Sequence, residues 1–253
     1  MKTNKANETK GIPKTGTFKI ISNERLSRDF FRMRVECPND ARMGQFYMLR
    51  AWERYPVLSR PISVFDSDGE SVSFLYKTVG VGTEIFSGLE AEDGIFLLGP
   101  LGNAFPDARG KIALVGGGVG IAPFYLAAKQ LRTAHPECRL DLYLGFSDRA
   151  LLIDDYRKTA DDVIVDVGGF ITDAIDPAGY DYIFACGPEV MMRALYGKCG
   201  QAGAAGKVYV SMERRMACGV GTCLVCSCGT ADGNKRICRD GPVFKGEAVF
   251  GQC

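Results

Sequence analysis

Five of the ten cysteines lie between positions 218 and 238, and their spacing constrains this region more than any other feature of the chain. Four residues separate Cys218 from Cys223, two separate Cys223 from Cys226, and eleven more precede Cys238. This spacing is typical of a plant-type [2Fe-2S] site, where one tight loop supplies three thiolates and a later segment supplies the fourth. Glycines at 219 and 221 would allow the backbone angles that such a loop needs.

A structural zinc site is the alternative interpretation of these cysteines. Cys223 and Cys226 form a CxxC pair, and Cys228 or Cys238 could complete a set of four sulfurs. Zinc sites favour two separated CxxC pairs, and the second pair is missing here. The short span before Cys238 keeps Cys228 open as a competing fourth ligand. We otherwise expect Cys228 to be a spare thiol and Cys253 to be uninvolved.

Composition narrows the class of protein. The formal net charge is +1 over 253 residues, so charge alone predicts neither a nucleic-acid partner nor an anionic membrane partner. Residues 1–12 carry charge without an apolar segment, which predicts a disordered tail and no secretory signal. An uncharged run at 112–128 is interrupted by four glycines and a proline, so we expect no membrane-spanning helix. Because no secretory signal is predicted, we expect the chain to stay where thiols are kept reduced, as in the cytoplasm.

The pattern of apolar residues predicts an α+β multidomain protein. At 13–108, short apolar stretches broken by turn residues indicate an antiparallel β-barrel. At 109–210, apolar strands alternate with helical stretches, which favours a parallel sheet with helices on both faces. At 211–253 there is little periodicity, so we expect a small domain held by something other than a large core.

A glycine-rich segment, LVGGGVGIAP, lies between a predicted strand and a predicted helix whose first turn carries Pro123. A pyrophosphate could bind there against bare backbone amides and the positive end of the helix. Position 121 is Ile, so the segment departs from the common GxGxxG fingerprint. A tight turn without a ligand is the alternative.

A second segment, ACGPEV, ends another predicted strand. Ligands of doubly wound sheets lie at the carboxyl ends of strands, so Cys186 could face a nicotinamide ring, although it could also be a small buried residue. Asp148 would suit a ribose 2′-hydroxyl and so favour NAD over NADP, with Ser147 and Arg149 beside it. The predicted NAD contacts are Gly116, Gly117, Gly118, Gly120, Cys186, Gly187 and Pro188.

Several motifs resemble, in order and spacing, those of the ferredoxin reductase family: RPIS at 60–63, LYK at 75–77, GVGT at 80–83, GPLGN at 99–103, GGGVGIAP and CGPEVMM. The similarity covers nearly the whole chain and implies a bound FAD. By this resemblance Arg60 and Ser63 would hold the phosphates and ring of the flavin, and Gly82 and Thr83 would turn the chain into a short helix at the pyrophosphate. Without this resemblance, a structural salt bridge at Arg60 would be at least as good an interpretation of the RPIS motif. The predicted FAD contacts are Arg60, Pro61, Ile62, Ser63, Leu75, Tyr76, Lys77, Gly82 and Thr83.

Thr83 has a further predicted role. It precedes the stretch EIFSGL, and we expect it to be the N-cap of that helix.

The C-terminal segments ERRMACGVGTCLVCSC and ICRDGPVF resemble the electron-transfer subunits of NAD-linked bacterial dihydroorotate dehydrogenases. This resemblance implies a partner subunit that carries FMN and oxidises dihydroorotate in pyrimidine biosynthesis, in a heterotetramer of two plus two subunits. The chain itself would pass electrons through [2Fe-2S] and FAD to NAD, and would hold no catalytic residue for orotate chemistry. Its only histidine, His135, lies in the turn-like TAHPE and is expected to be solvent-exposed.

Two other functions are open. A reductase subunit of a hydrogenase, or of a ferredoxin:NAD(P) oxidoreductase, would share the barrel, the NAD domain and a similar cysteine loop. In a different class, the chain could be a zinc-stabilised binding module without redox activity.

Overall fold

The computed structural model describes residues 13–251. Its first part is a closed antiparallel barrel with the strand order β1-β2-β5-β4-β3-β6. The six strands are β1 (Lys14–Arg25), β2 (Phe30–Glu36), β3 (Phe46–Arg50), β4 (Arg60–Ser67), β5 (Ser71–Lys77) and β6 (Gly94–Leu101). This closed sheet confirms the barrel that the short apolar stretches predict.

Alternation along the strands divides the barrel into an inner and an outer face. On β5, Val72, Phe74 and Tyr76 lie in the barrel core, whereas Leu75 packs in the core of the neighbouring sheet. Helix α1 (Val81–Ser87) lies between β5 and β6 and buries Phe86 in the barrel core. Successive side chains of a strand point to opposite faces, so one strand can serve both cores.

The second part is a six-stranded sheet with the order β14-β11-β10-β7-β8-β9, in which β14 is Val243–Lys245. Five of these strands run parallel: β7 (Lys111–Gly117), β8 (Arg139–Phe146), β9 (Asp162–Val167), β10 (Tyr182–Cys186) and β11 (Val208–Ser211). Its helices are α2 (Ala122–Ala134), α3 (Ile153–Arg157) and α4 (Glu189–Gln201). Short 3₁₀ turns lie at Gly118–Ile121, Ile171–Asp173, Pro177–Gly179 and Ala205–Lys207.

Helices cover both faces of this sheet, as predicted. Ile112 and Leu114 on β7 share a core with α2, whereas Ala113 and Val115 share a core with α4. Near-continuous apolar strands of this kind are typical of parallel sheets buried on both sides.

The C-terminal part is integrated with that sheet. It comprises the hairpin β12 (Ser227–Thr230) and β13 (Gly233–Arg236), helix α5 (Ile237–Asp240), strand β14 (Val243–Lys245) and helix α6 (Gly246–Phe250). Strand β14 pairs antiparallel with β11, so the sheet is mixed. Ile237, Cys238 and Phe250 belong to the core that contains α4. The C-terminal segment is therefore stabilised by packing against the core of the six-stranded sheet.

The barrel and the sheet meet along α2. The amide of Gln130 accepts from the backbone N–H of Met43 at 2.8 Å and donates to the carbonyl of Ala41 at 2.9 Å. Phe65 on β4 stacks on Tyr125, with ring centroids 4.6 Å apart. These part-buried amide hydrogen bonds and the stacked rings join the barrel to the sheet.

The prediction of an exposed His135 is wrong. Its side chain is 7% exposed, and its Nε2 lies 2.6 Å from Oδ1 of Asp107. His135 directly follows the last turn of α2, and Asp107 lies in the segment that joins the barrel to the sheet. Because that joining segment covers the end of α2, a residue in a turn-like sequence becomes buried.

The predicted tail at 1–12 and the cysteine at 253 lie outside the described residues. Within the described part, no helix combines the length and the apolar character needed to cross a membrane.

Candidate flavin, nicotinamide and iron-sulfur site

A cleft of about 330 Å³, the flavin cleft, lies between the barrel and the sheet. From the barrel it is lined by all the predicted FAD contacts except Gly82: Arg60, Pro61, Ile62, Ser63, Leu75, Tyr76, Lys77 and Thr83. From the sheet side, Gly120, Cys186 and Ser211 line it. The fold therefore brings two motifs that are distant in sequence to opposite walls of one cleft.

The side chain of Arg60 lies over the first turn of α1. A Cβ atom on Gly82 would lie 2.6 Å from Nε of Arg60 and 2.9 Å from the ring of Trp52. The guanidinium carbon of Arg60 is 5.3 Å from the centre of the Trp52 ring. Only glycine leaves room for this arrangement, which places a cation beside the backbone of the turn. Such a cradle suits a phosphate group.

Trp52 adds a second indication that this cradle is built for a ligand. Among residues 13–251, the buried indole N–H of Trp52 has no hydrogen-bond acceptor. A buried polar group without a partner is costly, because it has lost its water. The residues around Arg60 thus fit a polar, anionic group of the size of a phosphate.

The predicted N-cap role of Thr83 is wrong. Gly80 is the N-cap of α1, and Thr83 lies one turn further in. The Thr83 hydroxyl donates to the carbonyl of Gly80 at 2.9 Å and accepts from the backbone N–H of Val79 at 2.9 Å. It therefore closes the turn before the helix rather than capping it.

Two of the predicted FAD contacts direct their side chains away from the flavin cleft. The hydroxyl of Tyr76 donates to Oδ1 of Asn23 at 3.0 Å, and its ring stacks on Phe31 in the barrel core. Ile62 also packs against the barrel core. Both residues nevertheless belong to the lining of the flavin cleft. Strand alternation explains the direction of their side chains, because Ser63 and Leu75 then point outward.

The glycine-rich segment forms the end of β7 and the tight turn into α2. A Cβ atom on Gly120 would lie 2.4 Å from the carbonyl oxygen of Cys186 and 2.6 Å from Cα of Gly187. The turn thus packs directly on the CGP segment, and both line a second concavity of about 290 Å³, the glycine cleft. Exposed backbone amides in such a turn form a site for a pyrophosphate.

Cys186 ends β10 beside Gly116 of β7 and Ser211 of β11. It is 1% exposed, and burial is the main cause that raises the pKa of its thiol, while a hydrogen bond with Ser211 opposes that shift. The residue is therefore a neutral thiol at the carboxyl edge of the sheet, at the wall of the flavin cleft.

Asp148, Ser147 and Arg149 line the glycine cleft together with the glycine-rich turn. Lys77 lines the same cleft from the barrel, where its Nζ lies 3.1 Å from Oδ2 of Asp29. The cleft thus offers backbone amides, the carboxylates of Asp29, Asp148 and Glu213, and the two cations of Lys77 and Arg149, among which are the groups that a phosphate and a ribose require.

Sequence reasoning missed Glu213. It lines both the flavin cleft and the glycine cleft, and its side chain is open to them. Partial loss of water in the cleft walls raises the pKa of its carboxyl group. Glu213 lies two residues beyond β11, and only the position of that strand end could have indicated its role.

The loop at 218–226 brings its cysteines together in a narrow turn. Gly219 and Gly221 have φ of 73° and 85°, and Leu224 has φ of 59°. A Cβ atom on Gly219 would lie 2.6 Å from the side chain of Met48 in the barrel. Glycine is required there because the loop approaches β3 closely and adopts a left-handed conformation.

The cysteines stand as two pairs. Cys218 lies beside Cys223 in the loop, and the thiol of Cys226 donates to the sulfur of Cys238 at 3.3 Å. Burial opposes ionisation of Cys218, but hydrogen bonds from Thr222 and the loop amides outweigh it and lower the pKa to about 5. The thiolate is the form that binds metals, so the loop fits a cluster held by two pairs of sulfurs.

Cys228 belongs to neither pair. It is buried in β12, opposite Lys235 on β13, within the core that contains α4. Across residues 13–251, no three His, Cys, Asp or Glu side chains converge closely enough to hold a metal ion.

The chain has clear relatives. Residues 213–250 match the family model described as the iron-sulfur cluster binding domain of dihydroorotate dehydrogenase B. The dihydroorotate dehydrogenase B (NAD(+)) electron transfer subunit of Clostridium acetobutylicum is 43% identical over 241 residues, covering 92% of this chain and 96% of the relative. The subunit of the same name from Clostridium perfringens is 40% identical, covering 91% and 96%.

Solved structures agree with these relatives. The NADH-dependent reduced ferredoxin-NADP oxidoreductase, described in work on flavin-based electron bifurcation, superposes with a TM-score of 0.83 and 30% identity, covering 93% of this chain and 90% of that one. The ferredoxin reductase of carbazole 1,9a-dioxygenase has a TM-score of 0.67, 20% identity and coverage of 78% and 69%, and shows the fold alone. By sequence identity and coverage, the chain belongs to the family of dihydroorotate dehydrogenase B (NAD(+)) electron transfer subunits.

Proposed function

We propose that this chain carries electrons from a dihydroorotate-oxidising partner subunit to NAD⁺, through a [2Fe-2S] cluster and FAD. One observation carries the proposal: the segment that bears the cysteines also lines the flavin cleft. Met216 precedes the first cysteine by two residues and Pro242 follows the last by four, and both lie in the cleft wall. A cluster and a flavin held by these residues would be neighbours.

In such a chain FAD exchanges a hydride with NAD, and the cluster exchanges single electrons. The protein's part is to bind and orient the groups. Cys218, Cys223, Cys226 and Cys238 are the proposed cluster ligands. Arg60 would hold a phosphate of FAD beside Gly82, and Ser63 would place its hydroxyl against the flavin ring.

The NAD site would be built on the opposite wall. The amides of the glycine-rich turn would bind the pyrophosphate, with Gly187 and Pro188 closing the turn from the side. The carboxylate of Asp148 would accept from the ribose 2′-hydroxyl. Buried and neutral, Cys186 would fill the space behind the nicotinamide ring and exclude water from it.

The proposal extends to the assembly. The partner would be an FMN-bearing catalytic subunit that makes orotate in pyrimidine biosynthesis, in a heterotetramer of two plus two. The complex would work in the cytoplasm, and neither nucleic acid nor a membrane would be needed for its activity. Among the described residues, the only histidine is paired with Asp107 and lines neither the flavin cleft nor the glycine cleft.

Anaerobic co-expression with the dihydroorotate-oxidising subunit of the same organism tests the proposal. We expect a stable complex that contains FMN, FAD, iron and sulfide and that reduces NAD⁺ with dihydroorotate. The catalytic subunit alone should not reduce NAD⁺. A complex that forms with full cofactor content yet leaves NAD⁺ oxidised would contradict the proposal.

The similarity to the NADH-dependent reduced ferredoxin-NADP oxidoreductase supports a second candidate, a reductase subunit that serves a ferredoxin. The same purified chain distinguishes the two. Reduction by NADH followed by rapid reoxidation by ferredoxin, without any effect of dihydroorotate on the complex, would favour the second candidate.

A further inference from the structure

The motif GPLGN at 99–103 lies where the last barrel strand ends, and its residues line neither the flavin cleft nor the glycine cleft. Asn103 follows the end of β6 by two residues. Its hydrogen bonds reach 140 residues along the chain, to the segment that follows α5. Asn103 therefore joins the barrel to the part of the chain that bears the last cysteine.

Asn103 binds this segment with both its side chain and its backbone. Its Oδ1 accepts from the N–H of Val243 at 2.9 Å, and its Nδ2 donates to the carbonyl of Val243 at 2.8 Å. Its own N–H donates to the carbonyl of Gly241 at 2.6 Å, and Nδ2 also lies 3.4 Å from the carbonyl oxygen of Asp240. The side-chain amide thus pairs with the backbone of one residue in both directions, as a neighbouring strand would.

The segment that Asn103 holds lies between the two groups of the proposed relay. Cys238, a proposed cluster ligand, lies on α5, which ends at Asp240. Pro242 lies in the wall of the flavin cleft. Its carbonyl accepts at 2.8 Å from the N–H of Met212, another residue of that wall. The few residues bound by Asn103 therefore connect the cluster ligand to the flavin cleft.

The cysteine loop is tied to the same segment. The carboxylate of Asp240 pairs with Arg236, whose Nε lies 2.9 Å from Oδ2. Nη1 of Arg236 donates to the carbonyl of Gly221, inside the loop, at 3.3 Å. A series of hydrogen bonds therefore runs from Asn103 through Asp240 and Arg236 to the loop at 218–226.

The barrel side of this connection is fixed as well. Gly102 has φ of 79°, and a Cβ atom there would lie 2.5 Å from Cδ of Pro242. The carbonyl of Gly102 accepts from Nε2 of Gln45 at 3.1 Å. The carbonyl of Gln45 accepts from the N–H of Val64, the residue after Ser63, at 3.0 Å. Contacts at Gly102 therefore link the strand of Ser63 to the segment that Asn103 binds.

We propose that Asn103 is a positioning residue for electron transfer, which fixes the distance between the cluster and the flavin. The inference rests on the proposed function, because it assumes that the four cysteines hold a cluster and that the flavin cleft holds FAD. With NADH as the donor, a hydride first reaches FAD, and the reduced flavin then passes one electron to the oxidised cluster. Only the second step crosses the segment that Asn103 binds.

The test uses the full chain with FAD and cluster bound, mixed anaerobically with NADH, and compares wild type with Asn103→Ala. Stopped-flow absorbance follows the flavin, and freeze-quench EPR follows the reduced cluster. A misplacement of about 1 Å can slow a reaction step by up to about a hundredfold. We expect Asn103→Ala to reduce its flavin at the wild-type rate and its cluster about tenfold more slowly.

Asn39→Ala is the matched control for the loss of an asparagine side chain that binds backbone groups. The Asn39 side chain donates to the carbonyls of Cys37 and Ser71 and accepts from the N–H of Ala41, all within the barrel. Its loss should destabilise the barrel without slowing either step. If Asn103→Ala does not fold, Asn103→Ser, which retains one hydroxyl group, gives the same comparison.

Amide hydrogen exchange in the same proteins measures the connection itself, independently of electron transfer. Two lost hydrogen bonds of about 1 kcal/mol each correspond to roughly a thirtyfold change. We expect the amides of residues 243–245 to exchange about thirtyfold faster in Asn103→Ala than in wild type. Their exchange should be unchanged in Asn39→Ala.

An unchanged rate of cluster reduction in Asn103→Ala would overturn the inference. Equal slowing of both steps in that variant, or equal slowing of cluster reduction in Asn39→Ala, would also overturn it, because either result indicates a general loss of structure. Failure of NADH to reduce the flavin of the wild-type chain, or a wild-type chain without iron, would instead contradict the proposed function.

Discussion

The sulfur of Cys226 lies 3.3 Å from the sulfur of Cys238. The hairpin between them explains this closeness, because Ser227 pairs with Arg236 and the N–H of Ile237 donates to the carbonyl of Cys226 at 3.1 Å. Eleven intervening residues are therefore enough to return a fourth ligand to the loop. The hairpin also supports Cys238, rather than Cys228, as that ligand.

Replacing Cys238 with Ser should abolish the visible absorption and the EPR signal of the reduced cluster. Cys228→Ser is the matched control, because it alters a buried sulfur two residues from Cys226 on the same hairpin. We expect it to leave both spectra intact in anaerobically purified protein. Loss of the spectrum in the control, with retention in Cys238→Ser, would reverse the assignment.

Substituting Ser63 by Ala should slow the reduction of FAD by NADH more than it lowers the FAD content. One lost hydrogen bond of about 1 kcal/mol corresponds to a rate decrease of roughly fivefold. Stopped-flow bleaching of the flavin measures the rate. Ser73→Ala, on β5 and outside the flavin cleft, should behave as wild type. An unchanged rate in Ser63→Ala would remove Ser63 from the mechanism.

Glu213 should couple the potential of the flavin to pH. Burial raises the pKa of its carboxyl group, so the group is neutral at low pH and ionises only above its usual range. The carboxylate would disfavour the negative charge of a reduced flavin, so the potential should fall more steeply where Glu213 titrates. Glu213→Gln should remove this extra slope and raise the potential at high pH by about 30 mV.

Spectroelectrochemical titration of the flavin from about pH 4.5, the ordinary pKa of a glutamate, upward checks this effect. Glu247→Gln, at an exposed position of α6, is the control for the loss of one carboxylate. Identical slopes in wild type and Glu213→Gln would show that Glu213 does not titrate with the flavin.

The carboxylate of Asp68 should stabilise the barrel at neutral pH, and this stabilisation should be lost in acid. Asp68 lies in the turn between β4 and β5, where its carboxylate accepts from the backbone N–H of Ser71 at 2.7 Å and pairs with Arg34 on β2. The backbone hydrogen bond from Ser71 is the main cause that lowers the pKa of Asp68 to about 2. The contribution is complete above the usual carboxyl pKa of about 3.9 and is lost as pH falls through about 2.

Asp68→Asn should therefore lower the free energy of unfolding by about 1 kcal/mol at pH 7. The effect is this small because solvent screens the half-exposed pair of Asp68 and Arg34. Denaturant unfolding at pH 7 and at pH 3 should give a smaller difference at the lower pH. A constant difference would mean that shape rather than charge matters at this position.

The sequence predicts the architecture well where the signal is local. Period-two apolar stretches identify the barrel strands, and the change to alternating strands and helices identifies the sheet. The spacing of Cys218, Cys223 and Cys226 points to a cluster because a loop of that size must bring the three sulfurs together. The placement of Arg60 and Ser63 at one cleft with Cys186 agrees with motif order.

The sequence fails where the outcome depends on contacts between distant segments. His135 is buried by a segment that is 28 residues away in the chain. Tyr76 belongs to a motif, but strand register turns its side chain into the barrel. Glu213 has no local signature at all, because its importance comes from where β11 ends. Threonine is a residue type that favours the N-cap, but Gly80 occupies the N-cap position of α1.

The pairing of β14 with β11 covers a strand edge that could otherwise aggregate. Without β14, one side of β11 would present free backbone groups to other chains, and such edges promote aggregation. The same C-terminal segment is proposed to depend on iron for its cysteine loop. We therefore expect iron shortage to make part of the protein aggregate and become insoluble. This loss should appear before electron transfer slows in the protein that remains folded.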